Sequence, residues 1–521
     1  SITVAAVPGS NLVKISRPGG LVSLEVEPPR TPDGEVLPVQ PGDLAELLTG
    51  SGEEVDTGVE VNESGDVQLA DTGVTLPKET GVAIVSGKID VSNVGAVGAQ
   101  SIAPSSTPST SSSTGGEINV IGNKVGLIST NLDASGTHGG GTVRIGGDYQ
   151  GQGTIPNAEF TVVDHNSTIQ ADALTDSDGG GIFVWADKTT RFYGNANARG
   201  GSHSGNGGFI EISGKQDLVF DGNVDVSAVV GEDGTILFDP ANITIVAGTG
   251  AQDSEVADGQ ILSGDGGTGN FQIAATTLGA IAGNVSLQAT NDITIDNNVA
   301  LNLAAGDGTG TITFTADADN AGGGSFVMNS GSSLITNGRS LTINAASATL
   351  GTLNTGSGNF NLTTNGAITQ NTGTTLTIGG VATLAAGAGN DINLSGSGNN
   401  FFRVVIENAR DVTLNDVGVN GIALGTSTIS GNLTVTTTQG NIGNVTNDDA
   451  LVVRGVATLN SGSNAINLPS PRNDFDTVRV TRSTNVTLRD TNDIKLGAST
   501  INGNLKVTAN GTIIGTDRLS V

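Results

Sequence analysis

One short pattern recurs along most of the chain: Asn or Asp, an apolar residue, any residue, and a second apolar residue. Each copy has the period of two that is typical of a strand with one buried face, and the polar residue marks a corner. Short strands that begin at similar corners favour a coil stacked on copies of itself over a globular core. The chain is therefore predicted to be all-β, a single-stranded parallel β-helix. The copies begin at Asn242, Asn284, Asp292, Asp391, Asp411, Asn432, Asn485, Asp493 and Asn504.

These nine polar residues are predicted to form a ladder along the corners of the coil. Stacked amide side chains can hydrogen-bond to one another and to the turn backbone of the coils above and below. A string of cation sites is the alternative interpretation.

Composition agrees with a narrow lumen. Aromatic residues make up 3% of the 521 residues, and there are 79 glycines. A lumen of stacked small and β-branched side chains needs few large residues, while glycine suits corners that require positive φ.

The net charge of −29 argues against nucleic acid and anionic membranes as partners, because both are negatively charged. No run approaches the roughly 18 apolar residues of a membrane helix, so no transmembrane segment is predicted. The first residues lack the features of a signal peptide, and the chain is interpreted as the mature or excised part of a longer protein. It contains no cysteine, which excludes disulfides and thiolate metal sites.

Residues 1–103 are predicted to form a less regular, β-rich segment, because ten of the fourteen prolines lie between Pro8 and Pro108. Helix start and stop signals predict a short helix near 43–49. Short strands are predicted at 59–61, 67–69 and 74–76. Residues 104–114, rich in Ser, Thr and Pro, are predicted to be a mobile loop or linker.

From residue 115 to 245, Gly-Gly pairs precede successive strands of the predicted β-helix. The pairs begin at residues 115, 140, 180 and 207, and the gaps of 25, 40 and 27 residues predict one or two coils between pairs. Alternation places Arg144, Trp185 and Glu211 outside. The residues predicted to line the lumen are Ile118, Val120, Val143, Ile145, Ile182, Val184, Ile210 and Ile212.

Residues 246–521 are predicted to continue the β-helix, with an internal duplication of 72–75 residues relating about 380–450 to 455–521. Gly380–Leu384 recurs as Gly455–Leu459. Such a block is predicted to contain a whole number of coils, three or four of about 20 to 25 residues each.

A polysaccharide lyase or glycosidase is an alternative, since a β-helix can carry catalytic carboxylates on adjacent coils. Asp187 with Arg191, and Asp217 with Asp221, are the candidate pairs, but their spacing is ordinary for a chain with 51 carboxylates. The prediction is therefore a protein that is not an enzyme, with no cofactor and no metal. The three histidines, His138, His165 and His203, are predicted to be exposed loop residues.

Several of the few aromatic residues gather near Trp185 and Tyr193. An exposed aromatic ring can stack on a pyranose, so these two residues are candidate contacts for a carbohydrate or a partner. The alternative is that the aromatic side chains pack beneath a loop that connects two coils.

A family resemblance covers roughly residues 1–245. The chain resembles filamentous haemagglutinin-like exoproteins of the two-partner secretion type, notably cyanobacterial ones. The Asn-Pro-Asn motifs of the secretion domain of that family do not occur here. The segments that carry the resemblance are 2–9, 12–16, 139–153, 169–173, 184–194, 198–201, 205–215 and 238–245.

This resemblance implies a right-handed β-helical fibre that mediates adhesion, aggregation or cell-surface structure. It implies export through an outer-membrane two-partner secretion transporter, to the outside or the outer surface of a Gram-negative bacterium. Cell-surface or carbohydrate ligands would be its partners. A self-assembling filament or sheath, and thus a homo-oligomer, is the alternative.

Overall fold

A computed structural model describes residues 1–6, 13–16, 23–26, 59–61, 67–69, 81–93, 113–248, 271–281, 283–303 and 310–521. In these residues the chain forms a parallel β-helix, as predicted, in which each coil pairs with the next through parallel strands. Two long sheets run along the stack. At about 4.8 Å per strand, the column of coils is on the order of 80 Å long.

The first sheet contains strands from both ends of the described chain. Its strands are β1 (Ile2–Ala5), β7 (Glu117–Ile121), β10 (Thr142–Ile145), β14 (Gly181–Ala186), β17 (Phe209–Gly214), β20 (Thr235–Phe238), β23 (Asn284–Gln288), β25 (Ala300–Asn302), β26 (Thr311–Thr315), β28 (Ser333–Ile335), β29 (Ser340–Ala345), β31 (Thr352–Gly356), β32 (Phe360–Thr364), β34 (Leu376–Ala385), β36 (Asn400–Asn408), β38 (Ile422–Leu424), β41 (Ile442–Asn444), β43 (Ile466–Leu468), β45 (Val486–Asp490) and β48 (Leu505–Ala509).

The second sheet forms other sides of the same coils. Its strands are β6 (Val82–Asp90), β8 (Lys124–Asp133), β11 (Phe160–Val163), β12 (Thr168–Gln170), β15 (Thr189–Phe192), β16 (Asn195–Asn197), β18 (Asp217–Phe220), β19 (Asn223–Asp225), β21 (Ile243–Val246), β22 (Phe271–Ala274), β24 (Ile293–Ile295), β27 (Ser325–Met328), β30 (Ser347–Leu350), β33 (Ile368–Gln370), β35 (Ile392–Leu394), β37 (Val412–Asp416), β39 (Ser427–Ile429), β40 (Leu433–Thr437), β42 (Leu451–Asn460), β44 (Asp474–Arg482), β46 (Ile494–Leu496) and β49 (Ile513–Gly515).

Four small pairs complete the described strands. Two are antiparallel, β2 (Val13–Ser16) with β3 (Ser23–Val26) and β4 (Val59–Val61) with β5 (Val67–Leu69). Two are parallel, β9 (Gly136–His138) with β13 (Ala173–Asp176) and β47 (Ser499–Thr500) with β50 (Leu519–Ser520). A short helix, α1 (Ala275–Gly279), and a 3-10 turn at Tyr149–Gly151 are the helical elements of the described ranges.

The lumen prediction is confirmed. All eight residues assigned to it from alternation are fully buried. They form a register in which Ile118, Val143, Ile182 and Ile210 are successive parallel partners. Alternate residues of each strand therefore build one continuous apolar column.

Phenylalanine also fills the lumen, which the composition argument did not predict. The rings of Phe192 and Phe220 stack with centroids 5.7 Å apart, and those of Phe238 and Phe271 stack at 6.0 Å. The chain has few aromatic residues, yet most of its phenylalanines lie in the lumen.

The Gly-Gly pairs lie where the backbones of successive coils meet. A Cβ on Gly141 would lie 2.0 Å from the carbonyl oxygen of Gly116, and a Cβ on Gly180 would lie 2.0 Å from that of Gly141. The pairs are therefore required by close approach of neighbouring coils rather than by positive φ. One coil separates each pair from the next.

The duplication does not contain a whole number of coils, so that expectation is wrong. Successive parallel partners lead from Ala382 to Val404, Leu424 and Asn444, which completes three coils within the first sheet. The duplicate of Ala382 is Ala457, which lies further along that coil in the second sheet. Because every side of the coil faces the same lumen, a strand can change sides and keep the same residues inside. Only a one-residue shift within a strand would invert it.

The amino-terminal part contributes the first described coil. Ile2 pairs with Ile118, and Val82 pairs with Lys124, so β1 and β6 belong to the stack. Strands occur as predicted at 59–61 and 67–69. The predictions for a helix near 43–49, a strand at 74–76 and a loop over most of 104–114 lie outside the described residues. Within the described ranges, no helix has the length and apolar character needed to span a membrane.

Candidate functional site

A long insertion follows strand β10 in the same coil and lies on the outer face of the first sheet. We call residues 146–158 the covering loop. They account for the 40-residue gap between Gly-Gly pairs, and they include a 3-10 turn at Tyr149–Gly151. The carboxylate of Asp148 caps this turn by accepting from the N–H of Tyr149 at 2.8 Å.

Trp185 is fixed beneath the covering loop. Its indole N–H donates to a carboxylate oxygen of Asp187 at 3.0 Å, and the side-chain amide of Asn157 donates to the same oxygen at 3.0 Å. That amide also donates to the carbonyl of Gly151 at 2.8 Å. Gly151 is essential to this contact, because a Cβ there would lie 2.4 Å from the indole ring.

Gln150 connects the loop to two carboxyl groups on adjacent coils. It has the left-handed conformation (φ 52°, ψ 30°), which is uncommon for a residue with a side chain. Its backbone N–H points to both carboxylate oxygens of Glu211, at 3.1 and 3.0 Å. Its side-chain amide lies 3.5 Å from an oxygen of Asp239.

Both carboxyl groups are held in a poorly solvated environment. Burial raises the pKa of Glu211 to about 7, and the nearby charge of Asp239 acts in the same direction. Burial also raises the pKa of Asp239 to about 6. The desolvation of a charged carboxylate outweighs the hydrogen bonds from Gln150, which act in the opposite direction.

Three aromatic rings meet beside this carboxyl pair. Tyr149 lies edge-on to Phe209 at 5.7 Å and to Phe183 at 6.3 Å, and the two phenylalanine rings are 5.9 Å apart. The ring of Tyr149 is 45% exposed. Arg144 lies over Phe183 at 5.9 Å and pairs with Asp148 at 3.0 Å. We call Tyr149, Phe183 and Phe209 the aromatic patch.

The predicted contact residues Trp185 and Tyr193 are not at the surface. Trp185 points away from the lumen, as predicted, but is only 4% exposed, and Tyr193 is 3% exposed beneath the ring of His165. The expectation that these rings offer an exposed face to a sugar is therefore wrong. For Trp185, the structure shows the alternative arrangement, packing beneath a loop.

The nine polar corner residues connect successive coils through backbone hydrogen bonds. Asp411 accepts from the N–H of Asn432 at 2.7 Å, and Asn432 accepts from the N–H of Val456 at 2.9 Å. The same contact runs from Asn485 to the N–H of Asn504 at 2.9 Å. The remaining members that accept in this way from the next coil are Asn242, Asn284, Asp292, Asp391 and Asp493.

The structure also places the other candidate carboxylates of the sequence analysis. Asp187 is engaged by Trp185 and Asn157, whereas Arg191 is buried in β15. Asp217 is buried, and Asp221 lines a cleft of about 410 Å³ beside α1. The three histidines are exposed, as predicted, but His138 is the last residue of strand β9 and does not lie in a loop. Among the described residues, no group of three or more His, Asp or Glu side chains is arranged to hold a metal ion.

Sequence reasoning missed Tyr149, Gln150 and Asp239 as parts of one site. They are far apart in sequence from Glu211, and the stacking of coils brings them together. The one available signal was the 40-residue gap, because the extra length of that coil must project from the stack and cover its neighbours.

The fold and the recurring strands define a repeat protein of the parallel β-helix class. A family described as repeats of unknown function (DUF5649) matches residues 338–407, 409–481 and 483–521, about a third of the chain. No curated protein matches the chain. The matched segments begin 71 and 74 residues apart, close to the predicted spacing, and the first segment begins upstream of the predicted duplication.

Proposed function

We propose that this protein is an extracellular β-helical rod that mediates adhesion, aggregation or cell-surface structure. In this proposal, a two-partner secretion transporter exports it to the outside of a Gram-negative cell. The resemblance of residues 1–245 to filamentous haemagglutinin-like exoproteins supports this route of export. The elongated stack of coils supports the role, because it offers extensive lateral surface.

One row of outward side chains carries the argument for surface contact. These residues are successive parallel partners in strands of the second sheet, and none is charged although the chain has a net charge of −29. The row adds no charge of its own beside the corner residues Asp292, Asp391 and Asp411, and its hydroxyl and amide groups can hydrogen-bond to another surface. The row consists of Thr294, Val327, Thr349, Thr369, Asn393, Thr413, Thr434 and Thr458.

Retention of protein-coated beads tests this role. Beads that carry the full chain should be retained on bacterial cells or extracted surface polysaccharide, and beads that carry the heat-denatured chain should not. A matched variant with Thr349, Thr413 and Thr434 changed to Asp should be retained less, because it places charge on the neutral row. Equal retention of native and denatured chains would contradict the proposal.

Negative-stain images of the same preparation separate adhesion from the filament alternative. Isolated rods favour an adhesive molecule that acts alone, and ordered polymers favour a filament or sheath subunit.

A further inference from the structure

The aromatic patch is unusual in how it uses aromatic side chains. Most phenylalanines of the chain are fully buried in the lumen. At the patch, Tyr149 is 45% exposed and Phe183 and Phe209 are partly exposed, on the flank of the rod. Phe402, which is 60% exposed, stands elsewhere without a ring partner among the described residues.

The patch is held in place by the structure around it. Phe183 and Phe209 project from adjacent strands of the first sheet, and Tyr149 is fixed by the cap from Asp148 and by the contacts of Gln150 with Glu211. A rigid aromatic surface loses little conformational entropy when it binds a ligand.

Polar groups beside the rings favour a ligand with hydroxyl donors. Both hydrogen bonds to Asp239 from described residues end on Oδ2, from Gln150 at 3.5 Å and from Gln288 at 3.4 Å. Its other oxygen can accept from a ligand. The hydroxyl of Tyr149 lies close to both carboxyl groups. Burial raises its pKa, and the charges of Glu211 and Asp239 raise it further.

The surrounding charges disfavour an anionic ligand. Glu117, Asp148 and Asp239 stand around the patch, and Arg144 is already paired with Glu117 and Asp148. A ligand with an apolar face, hydroxyl donors and no negative charge fits this combination. These are the properties of a neutral pyranose.

We propose that the aromatic patch binds neutral pyranose units of a polysaccharide, with the ring of Tyr149 stacked on the sugar and Asp239 accepting from its hydroxyls. This inference rests on the proposed adhesive function and names its ligand class. The binding residues are Tyr149, Phe183, Phe209 and Asp239.

The single tryptophan of the chain provides the readout, because Trp185 lies directly beneath the covering loop. The full chain is titrated with neutral oligosaccharides of glucose, galactose and mannose, and with oligogalacturonate as the anionic probe. We expect at least one neutral oligosaccharide to shift Trp185 emission and to retard the protein in affinity electrophoresis. Oligogalacturonate should do neither.

Variants locate the site. Tyr149→Ala should weaken binding about tenfold, equivalent to about 1.4 kcal/mol, and Phe183→Ala should weaken it as well. Tyr149→Phe should restore most of the affinity, because it keeps the ring. Phe402→Ala is the matched control and should bind like the unmodified chain.

Three results would overturn the inference: no response to any neutral probe, stronger binding of oligogalacturonate, or unchanged binding by Tyr149→Ala and Phe183→Ala. Bead retention on cells is a separate readout. If beads that carry Tyr149→Ala are still retained, the adhesive function stands but does not depend on this site. If beads that carry the unmodified chain are not retained, the adhesive function itself is contradicted.

Discussion

At the residue scale, Glu211 shows how one outward side chain becomes a buried acid. The strand pattern places it outside the lumen, where a carboxylate would ordinarily be solvated. The covering loop removes that solvent, and one backbone N–H of Gln150 and the side chain of Ser213 provide hydrogen bonds in exchange. Burial of the charged form therefore determines its behaviour.

Glu211 should make the stability of the protein depend on pH. Its folded pKa of about 7 lies above the ordinary value of 4.5, so the fold favours the protonated form. The stability it contributes is complete below pH 4.5 and is lost as the pH rises through about 7, by roughly 3 kcal/mol. Glu211→Gln should reduce this loss in chemical denaturation curves between pH 5 and pH 8.

The control for this experiment is Asp448→Asn, which removes one negative charge from a side chain that is 87% exposed. Because the whole chain is acidic, general charge repulsion should affect both variants alike. An equal change in the two pH profiles would show that the effect of Glu211→Gln is not specific to the buried carboxyl.

If the corner ladder stabilises the fold, removing one acceptor should destabilise the protein more than replacing it with another acceptor. Asp411→Ala removes the acceptor for the N–H of Asn432 and should cost about 1 kcal/mol, while Asp411→Asn keeps a side-chain oxygen. Hydrogen exchange measures the effect locally, and the amide of Asn432 should exchange faster only in the alanine variant. Equal exchange in the two variants would mean that the ladder contact is not stabilising.

At the scale of elements, the covering loop depends on one glycine. Gly151 has φ +62° and lies against the indole of Trp185, so an added Cβ faces both backbone strain and a clash. A larger residue at position 151 would force the loop away from Trp185. Its closure creates the buried carboxyl pair and the aromatic patch together.

Gly151→Ala should therefore open the loop and shift Trp185 fluorescence to longer wavelength. Gly373→Ala is the matched control, because Gly373 has φ +79° and open space around it. The control should lose only about 1 kcal/mol from the strained backbone, with unchanged emission. If both variants gave the same emission as the unmodified chain, the loop would not depend on this contact.

At the scale of the whole molecule, successive repeats begin on alternate sides of the rod. Leu341 lies in the first sheet, Val412 in the second and Val486 in the first again, although the three occupy the same position in successive matched segments. A repeat that contains three coils and part of a fourth therefore presents its outer residues on the other sheet in the next copy. Equivalent surface features of successive repeats thus alternate between two sides of the rod.

This arrangement predicts that one repeat can be removed. Deletion of residues 409–482 joins Asn408 to Ser483, the equivalent of Ala409, and β45 should then occupy the position of β37. Small-angle scattering should report a rod about 16 Å shorter with unchanged β content by circular dichroism. Deletion of 409–445 joins segments that are not equivalent and should lose β structure. Loss of structure in the first variant would contradict the interchangeability of repeats.

The sequence predicted the lumen better than the surface. Ile118, Val143 and Ile182 could be assigned from alternation alone, because strand geometry fixes which residues share a face. Trp185 was correctly placed outside, but its burial depended on a loop whose path has no periodic signal. The shift of Ala457 to the second sheet was missed because a repeat length does not reveal the number of residues in each coil.

By itself, the sequence determined the class of fold, the residues of the lumen and the corners of the coil, because these follow from a period of two and from local backbone preferences. Only the tertiary structure decided which coil sides the repeats occupy, which outward residues the covering loop buries, and that Tyr149, Glu211 and Asp239 form one site. These features depend on contacts between distant segments, whose positions are fixed when the coils stack.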